Sequence, residues 1–397
     1  MPAAERSRLP AGIWMLGFVS LLMDTSSELI HSLLPVFLVS ALGASAVTIG
    51  FIEGAAESLA LIVKIFSGMF SDYLGKRKAL AAVGYGLGAL SKPLFALAGS
   101  PGMVLAARLL DRTGKGIRGA PRDALVADLA PPEVRGAAFG LRQALDTVGA
   151  FLGPLLAIAF MLLWADNFRA VFWIAVIPGF LAVALLLFGV REPEHQLDGK
   201  RGNPIRIDNL RQLSAAYWWV VVFGTLFTLA RFSEAFLVLR AQQGGLVLAW
   251  MPLVFVAMNM VYAFSAYPFG KLADRMRHTT LLMCGLLTLI AADSLLAMSE
   301  QLPTVFVGIA LWGLHMGLTQ GLLAAMIAGT APAPLRGTAY GFFNLSCGIA
   351  MLVTSVIAGE LWDHYGAPFT FYAGVMFSLL ALGILAWRKQ QIDPKPE

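Results

Sequence analysis

The sequence predicts an all-α integral membrane protein, with twelve transmembrane helices in two six-helix, pseudo-symmetric bundles. Three observations carry this reading. The first is composition: 58% of the 397 residues are hydrophobic and 13% are charged, against roughly 25% charged in a soluble domain. The second is segmentation, because the apolar residues gather in runs of about 20, the length a helix needs to cross the hydrocarbon core. The third is repetition. Gly68-Met-Phe-Ser71-Asp72-Tyr-Leu-Gly75-Lys76-Arg77 returns in reduced form as Gly270-Lys-Leu-Ala273-Asp274-Arg275, at an offset of 202. Pro132-Glu133-Val-Arg135-Gly136-Ala-Ala-Phe-Gly140 returns as Pro334-Leu-Arg336-Gly337-Thr-Ala-Tyr-Gly341, at an offset of 201 between the arginines. Two phrases with one offset mean two homologous halves, an architecture that points to transport.

Span 1 (12–41) and span 2 (45–70) are joined by a weakly charged connection near 42–46. Lys76, Arg77 and Lys78 separate span 2 from span 3 (79–98). The sparse connection 98–101 leads to span 4 (102–125), and Arg135 lies between it and span 5 (137–162). Span 6 (168–190) runs into the long polar linker 191–214, which holds Lys200, Arg201, Arg206 and Arg211. Spans 7 (215–240) and 8 (246–269) follow, then Arg275 and Arg277, then span 9 (279–298). The connection 299–302 holds only Glu300 before span 10 (303–328). Arg336 precedes span 11 (338–361), and span 12 (368–387) ends at Arg388 and Lys389. The domains are thus 1–190, the linker 191–214, and 215–397. Basic connections alternate with sparse ones, so the basic set and both termini are expected in the cytoplasm. The net charge of +5 reflects that bias and not nucleic acid binding. A β-barrel is excluded, because its strands would alternate polarity over about ten residues. No cleavable signal is expected at the start, where the apolar run is too long for one. Cys284 and Cys347 fall in apolar segments and read as small packing residues.

Charged residues inside the spans come next, since each is costly there and marks function or pairing. At about 100° per residue, Asp24, Glu28 and His31 lie within about 60° on span 1. Glu53, Glu57 and Lys64 lie within about 40° on span 2, and Arg108, Asp111, Arg112, Lys115, Arg118 and Arg122 within about 120° on span 4. Lys92 on span 3 and Arg142 and Asp146 on span 5 complete the set. Such stripes must face water or other charges. One account is mutual neutralisation, with most of these groups in structural pairs. The other gives two subsets a role. Glu28, His31, Asp24, Glu57 and Asp146 are candidates for proton coupling. Arg108, Arg112, Lys115, Arg118 and Glu53 are candidates to line a solute cavity, where the cations would attract a carboxylate or phosphate. The second half is sparser, with Arg231, Glu234, Asp293, His315 and Gln320. Of these, Arg231, Glu234, His315 and Gln320 join the cavity candidates. The run Gly114-Lys-Gly116-Ile-Arg-Gly119 spells a dinucleotide pattern, but it lies within a membrane helix with no preceding strand. It reads instead as tight helix packing.

The repeated phrase also resembles a family signature. Gly68-x-x-Ser71-Asp72-x-x-Gly75-Lys76-Arg77 resembles the loop between helices 2 and 3 of major facilitator superfamily transporters, and Gly270-x-x-Ala273-Asp274-Arg275 its degenerate copy. The copy has Arg277 where the second glycine would stand. Arg108 resembles the family's helix-4 arginine. Gly149-x-x-x-Gly153-Pro154 resembles the helix-5 antiporter motif, with Ala157-Ile158 in place of the usual trailing glycines. The resemblance implies that Asp72 and Lys76 pair with Asp128, so that Gly68, Asp72, Gly75, Lys76, Arg77, Asp128, Gly270, Asp274 and Arg275 form a conformational latch. Topology enforcement by the basic residues is the plainer reading of the same charges. It further implies that spans 1 and 4 line a central cavity. Ser26-Ser27-Glu28, Glu53-Gly54-Ala-Ala-Glu57 and Asp111-Arg112-Thr-Gly114-Lys115-Gly116 resemble a prokaryotic branch of mostly undefined substrate, which implies a multi-pass protein of a bacterial inner membrane.

The expectation is a secondary transporter working by alternating access, coupled to protons and exporting a small organic solute, an anion being one option. No nucleotide-binding loop, cofactor site or catalytic triad is visible, so no enzyme activity, cofactor or resident metal is expected. Divalent metal export is an alternative, with Asp24, Glu28, His31, Glu57 and His315 as ligands. Organic anion uptake by symport and a non-transporting sensor are others. The expected partners are a small-molecule substrate, protons and the lipid bilayer, without nucleic acid, and the expected state is a monomer.

Overall fold

A computed structural model of the chain describes residues 9–74, 76–192, 212–273, 275–319, 321–332 and 335–392. The described residues form α-helices joined by short turns, with no strand among them. The first half holds α1 (Ala11–His31), α2 (Leu34–Ser40), α3 (Ala46–Leu74), α4 (Arg77–Leu97), α5 (Pro101–Leu129), α6 (Arg135–Leu163) and α7 (Phe168–Gly189). The second holds α8 (Ala215–Leu229), α9 (Ala235–Gln243), α10 (Leu253–Ala273), α11 (His278–Met298), α12 (Leu302–Thr319), α13 (Leu322–Thr330), α14 (Arg336–Tyr365) and α15 (Ala367–Ile392). These make the twelve spans, because spans 1, 7 and 10 are each two helices in series.

Ten segments among the described residues are long and apolar enough to cross a membrane by themselves. Span 4 (α5) is absent from those ten because its charges exceed what an apolar window allows. Span 7 is absent because α8 stops after 15 residues. The three breaks have local causes. Pro35 cannot donate to the carbonyl of His31, and its ring crowds that carbonyl, so α1 stops there. Gly321 adopts φ +73°, a left-handed conformation that an L side chain resists. Span 7 breaks over the polar stretch Arg231–Glu234, where the Ser233 hydroxyl accepts from the Ala235 amide at 3.2 Å. Span 8 begins at Leu253, later than the expected 246, because the chain first turns through Leu248–Trp250 and Pro252.

By packing, the chain divides into two compact units. One contains residues 1–33 and 63–201, the other 34–62 and 202–397. Thus 34–62, part of the first half in sequence, packs with the second half. In the first unit α1 packs on α6 and α7, and α4 on α5 and α7. Ile13, Leu16, Val19 and Met23 of α1 meet Tyr85 and Ala89 of α4 and Leu186 of α7 in one apolar core. Glycine sets the approach of α4 to α5: a Cβ at Gly84 would lie 2.7 Å from the Gly114 carbonyl oxygen, and one at Gly114 2.8 Å from the Gly88 nitrogen. The glycine run in span 4 is therefore a packing surface. In the second unit Tyr217, Val220 and Phe223 of α8 share a core with Leu282 and Leu286 of α11, Phe343 of α14 and Leu385 of α15. There α3 lies against α14, with Val47 at Gly359 and Leu352 at Gly54. The Asp363 carboxylate accepts from the Ala46 amide at 3.0 Å and the Val47 amide at 2.9 Å, capping the start of α3.

Candidate functional site

The first unit gathers its buried charges on three facing helices, α1, α5 and α6, with Lys92 entering from α4. His31 is the hub. Its Nε2 meets an Arg108 guanidinium nitrogen and lies 3.4 Å from Asp111 Oδ2. Its Nδ1 lies 3.3 Å from Arg112 Nη2 and 3.7 Å from Glu28 Oε1. Each ring nitrogen therefore faces one cationic donor and one carboxylate acceptor. A neutral imidazole donates from one nitrogen and accepts at the other. With the proton on Nδ1, Arg108 donates to Nε2, and Glu28 is the carboxylate that faces the proton. With the proton on Nε2, Asp111 accepts and Arg112 donates to Nδ1. The two arginines are within hydrogen-bond distance of the ring, and the two carboxylates stand beside it as ion-pair partners, Asp111 the nearer. Asp111 is further held by Lys92, whose Nζ donates to Oδ1 at 2.7 Å and to the Ser27 hydroxyl at 2.9 Å.

A second cluster lies further along α5. Arg118 is 3.6 Å from Asp24 and stacks over Tyr85, 4.8 Å from the ring centre. Asp146 is approached by Arg122 at 3.8 Å and Arg142 at 3.6 Å, and its carboxyl is within side-chain hydrogen-bonding reach of Asp24. Glycine again sets the geometry. A Cβ at Gly149 would lie 2.5 Å from the Leu21 carbonyl oxygen, and one at Gly153 2.7 Å from the Glu28 Cβ. So the Gly149, Gly153, Pro154 segment brings α6 onto α1 at the turn carrying Glu28. Lys115 stands apart. It is exposed and makes no ion pair among the described residues, yet its charge acts on Asp24, Glu28 and Asp146, so it shares their face.

The remaining predicted residues fall elsewhere. Glu53 is buried and Glu57 half-buried on the stretch of α3 that belongs to the second unit. Arg231 and Glu234 sit at the α8–α9 break, half-buried, and Arg231 interacts with Glu234 and Tyr262. His315 is fully buried, stacked on Phe227, with Nδ1 2.8 Å from the Gly285 carbonyl oxygen. Glu28 and His31 thus share one network, while His315 and Glu57 are in the other unit. Among the described residues no three His, Cys, Asp or Glu side chains come together as a metal site. At the repeated phrase Gly68 lies in α3, Gly270 has open space beside it in α10, and Lys76 and Arg275 are exposed. Asp128 pairs with Arg77, where Lys76 is expected, and Arg77 also donates to the Ala124 carbonyl at 3.3 Å. Gly75, Asp274, Gln320 and the side chain of Asp72 lie outside the described residues.

A family model described as the Major Facilitator Superfamily matches residues 16–258 and 235–397. The chain belongs to the Major Facilitator Superfamily. One relative in this superfamily, the uncharacterised MFS-type transporter MJ1317 of Methanocaldococcus jannaschii, is 31% identical over 94% of each chain. The inner membrane transport protein YajR of Escherichia coli is 24% identical, covering 95% of this chain and 83% of its own. Among solved structures, a bacterial homologue of the human lysosomal transporter Spinster superposes with TM-score 0.77 at 15% identity, covering 97% of this chain and 98% of its own. The protein is therefore a multi-pass membrane transporter of the superfamily fold.

Two structural contacts escape the sequence. Arg240, in the last turn of α9, is buried and donates from Nε to the Leu296 carbonyl at 2.8 Å and from Nη2 to the Ser299 carbonyl at 2.9 Å, closing the end of α11. Lys78 and Glu192 exchange caps between α4 and α7. The Lys78 amide donates to Glu192 Oε1 at 3.0 Å, and Lys78 Nζ donates to the Leu187 carbonyl at 2.7 Å. Backbone carbonyls carry no residue signature, so neither contact has a motif.

Proposed function

We propose that this transporter exports a small organic anion in exchange for protons, with His31 passing the proton between Glu28 and Asp111. The observation that carries this reading is the four-sided setting of His31. An imidazole set between two carboxyls can take a proton from one and release another to the second. Lys115 is the anion anchor, since it is exposed, without an ion pair among the described residues and on the same face. Helix α6, packed on α1 through Gly149 and Gly153, keeps Glu28 at the hub. The basic connections orient both termini to the cytoplasm, in a bacterial inner membrane, with the monomer as the working unit.

The test begins with solutes whose accumulation differs between cells with and without the protein. Each candidate is then followed in proteoliposomes under an imposed pH gradient. Wild type moves one of them against its gradient. Glu28→Gln and His31→Gln keep the fold, and their pH-driven flux falls to background. Flux in either variant at the wild-type rate would sink the relay.

A further inference from the structure

We propose that Asp293 is a second protonation site, located in the second unit and occupied by a proton in this conformation. Asp293 lies in α11 with no exposure, and neither carboxyl oxygen has a hydrogen-bond partner among the described residues. The carboxyl packs straight onto the α15 backbone at Gly374, where any Cβ would collide with Oδ2. Phe232 closes the site from the α8–α9 break, 3.1 Å from that same Cβ position, and Phe371 and Trp312 pack around Phe232 at 5.5 and 5.2 Å between ring centres.

The shell has nothing to balance a charge. Among the described residues no cationic side chain pairs with Asp293. The titratable group on α12 is His315, which bonds to Gly285 two turns away along α11. On α15 the titratable Tyr372 is exposed. Arg231, next to the shell, is engaged with Glu234 and Tyr262. An ionised carboxylate sealed without partners is among the costliest arrangements a protein can hold, and the neutral acid removes most of that cost. The acids of the first unit differ in kind, since each has a cation or a histidine against it. Phe232 belongs to a non-helical stretch, so releasing the proton requires residues 230–234 to move. Proton occupancy at Asp293 is thereby tied to the position of that stretch.

Infrared spectroscopy of the purified, lipid-reconstituted protein tests this without any transport assay. Wild type at neutral pH should show the carbonyl stretch of a protonated carboxylic acid, slow to shift in heavy water because the site is sealed. Asp293→Asn should lose that band and keep its melting temperature, since asparagine matches the neutral acid in shape. His31→Gln should keep the band, which separates this site from the relay. A spectrum of Asp293→Asn that lacks only carboxylate bands would overturn the proposal. If Asp293→Asn does not fold, wild type labelled with carbon-13 at the aspartate carboxyl supplies the reading. A slowly exchanging, label-shifted acid band supports the site, and its absence refutes it.

Discussion

His31 is held by Glu28, Asp111, Arg108 and Arg112, while Asp24, Arg118 and Arg122 go to the second cluster. Lys115 is left over, and its removal is the most specific change available to a solute site. A charge-assisted hydrogen bond contributes about 1.5–3 kcal/mol, so Lys115→Gln should raise KM for the exported anion by roughly tenfold or more. Because Lys115 makes no ion pair among the described residues, the melting temperature should stay put, and an unchanged KM would remove it from the site. Arg240 is the opposite case. Arg240→Ala leaves the Leu296 and Ser299 carbonyls buried without their donor and should cost about 3 kcal/mol, read as a lowered melting temperature with unaltered KM. The identity of the charged residues was legible from spacing, because ionisable groups in apolar runs are conspicuous. Their partners were not. A stripe of six charges offers many pairings, and Arg77, not its neighbour Lys76, reaches Asp128 through the helical phase at the start of α4.

Helix positions followed from hydropathy to within a few residues, yet the breaks in spans 1, 7 and 10 did not. In spans 1 and 10 the break redirects the backbone without changing side-chain polarity, so the apolar run reads as continuous. Pro35 and the polar stretch Arg231–Glu234 were the available signs, and the left-handed Gly321 looked like any other glycine. At this scale the glycine seam between α1 and α6 is the feature to test. Gly153→Ala places a methyl 2.7 Å from the Glu28 Cβ and 2.8 Å from the Leu29 nitrogen. The helices must separate, at about 1–3 kcal/mol. The expected result is a lower melting temperature together with reduced pH-driven flux, because Glu28 moves with the turn. Loss of stability with unchanged flux would mean the seam is only packing.

The doubling of the chain was legible from two repeated phrases, but the packing of residues 34–62 with the second half was not. Residues 34–62 lie with the second half because small residues at Gly50, Gly54 and Gly359 admit α14 against α3, a contact that hydropathy cannot assign to a partner. Segments 1–190 and 215–397 produced separately should each be prone to aggregation and proteolysis, and produced together should copurify. A segment 1–190 that is monodisperse alone would contradict this division. The cap on α3 has a consequence for synthesis. Asp363 lies 317 positions after Ala46, so the ribosome has made nearly the whole chain before the two amides find their acceptor. The first turn of the second span therefore gains these two bonds only late in synthesis, and a chain truncated before Asp363 lacks them.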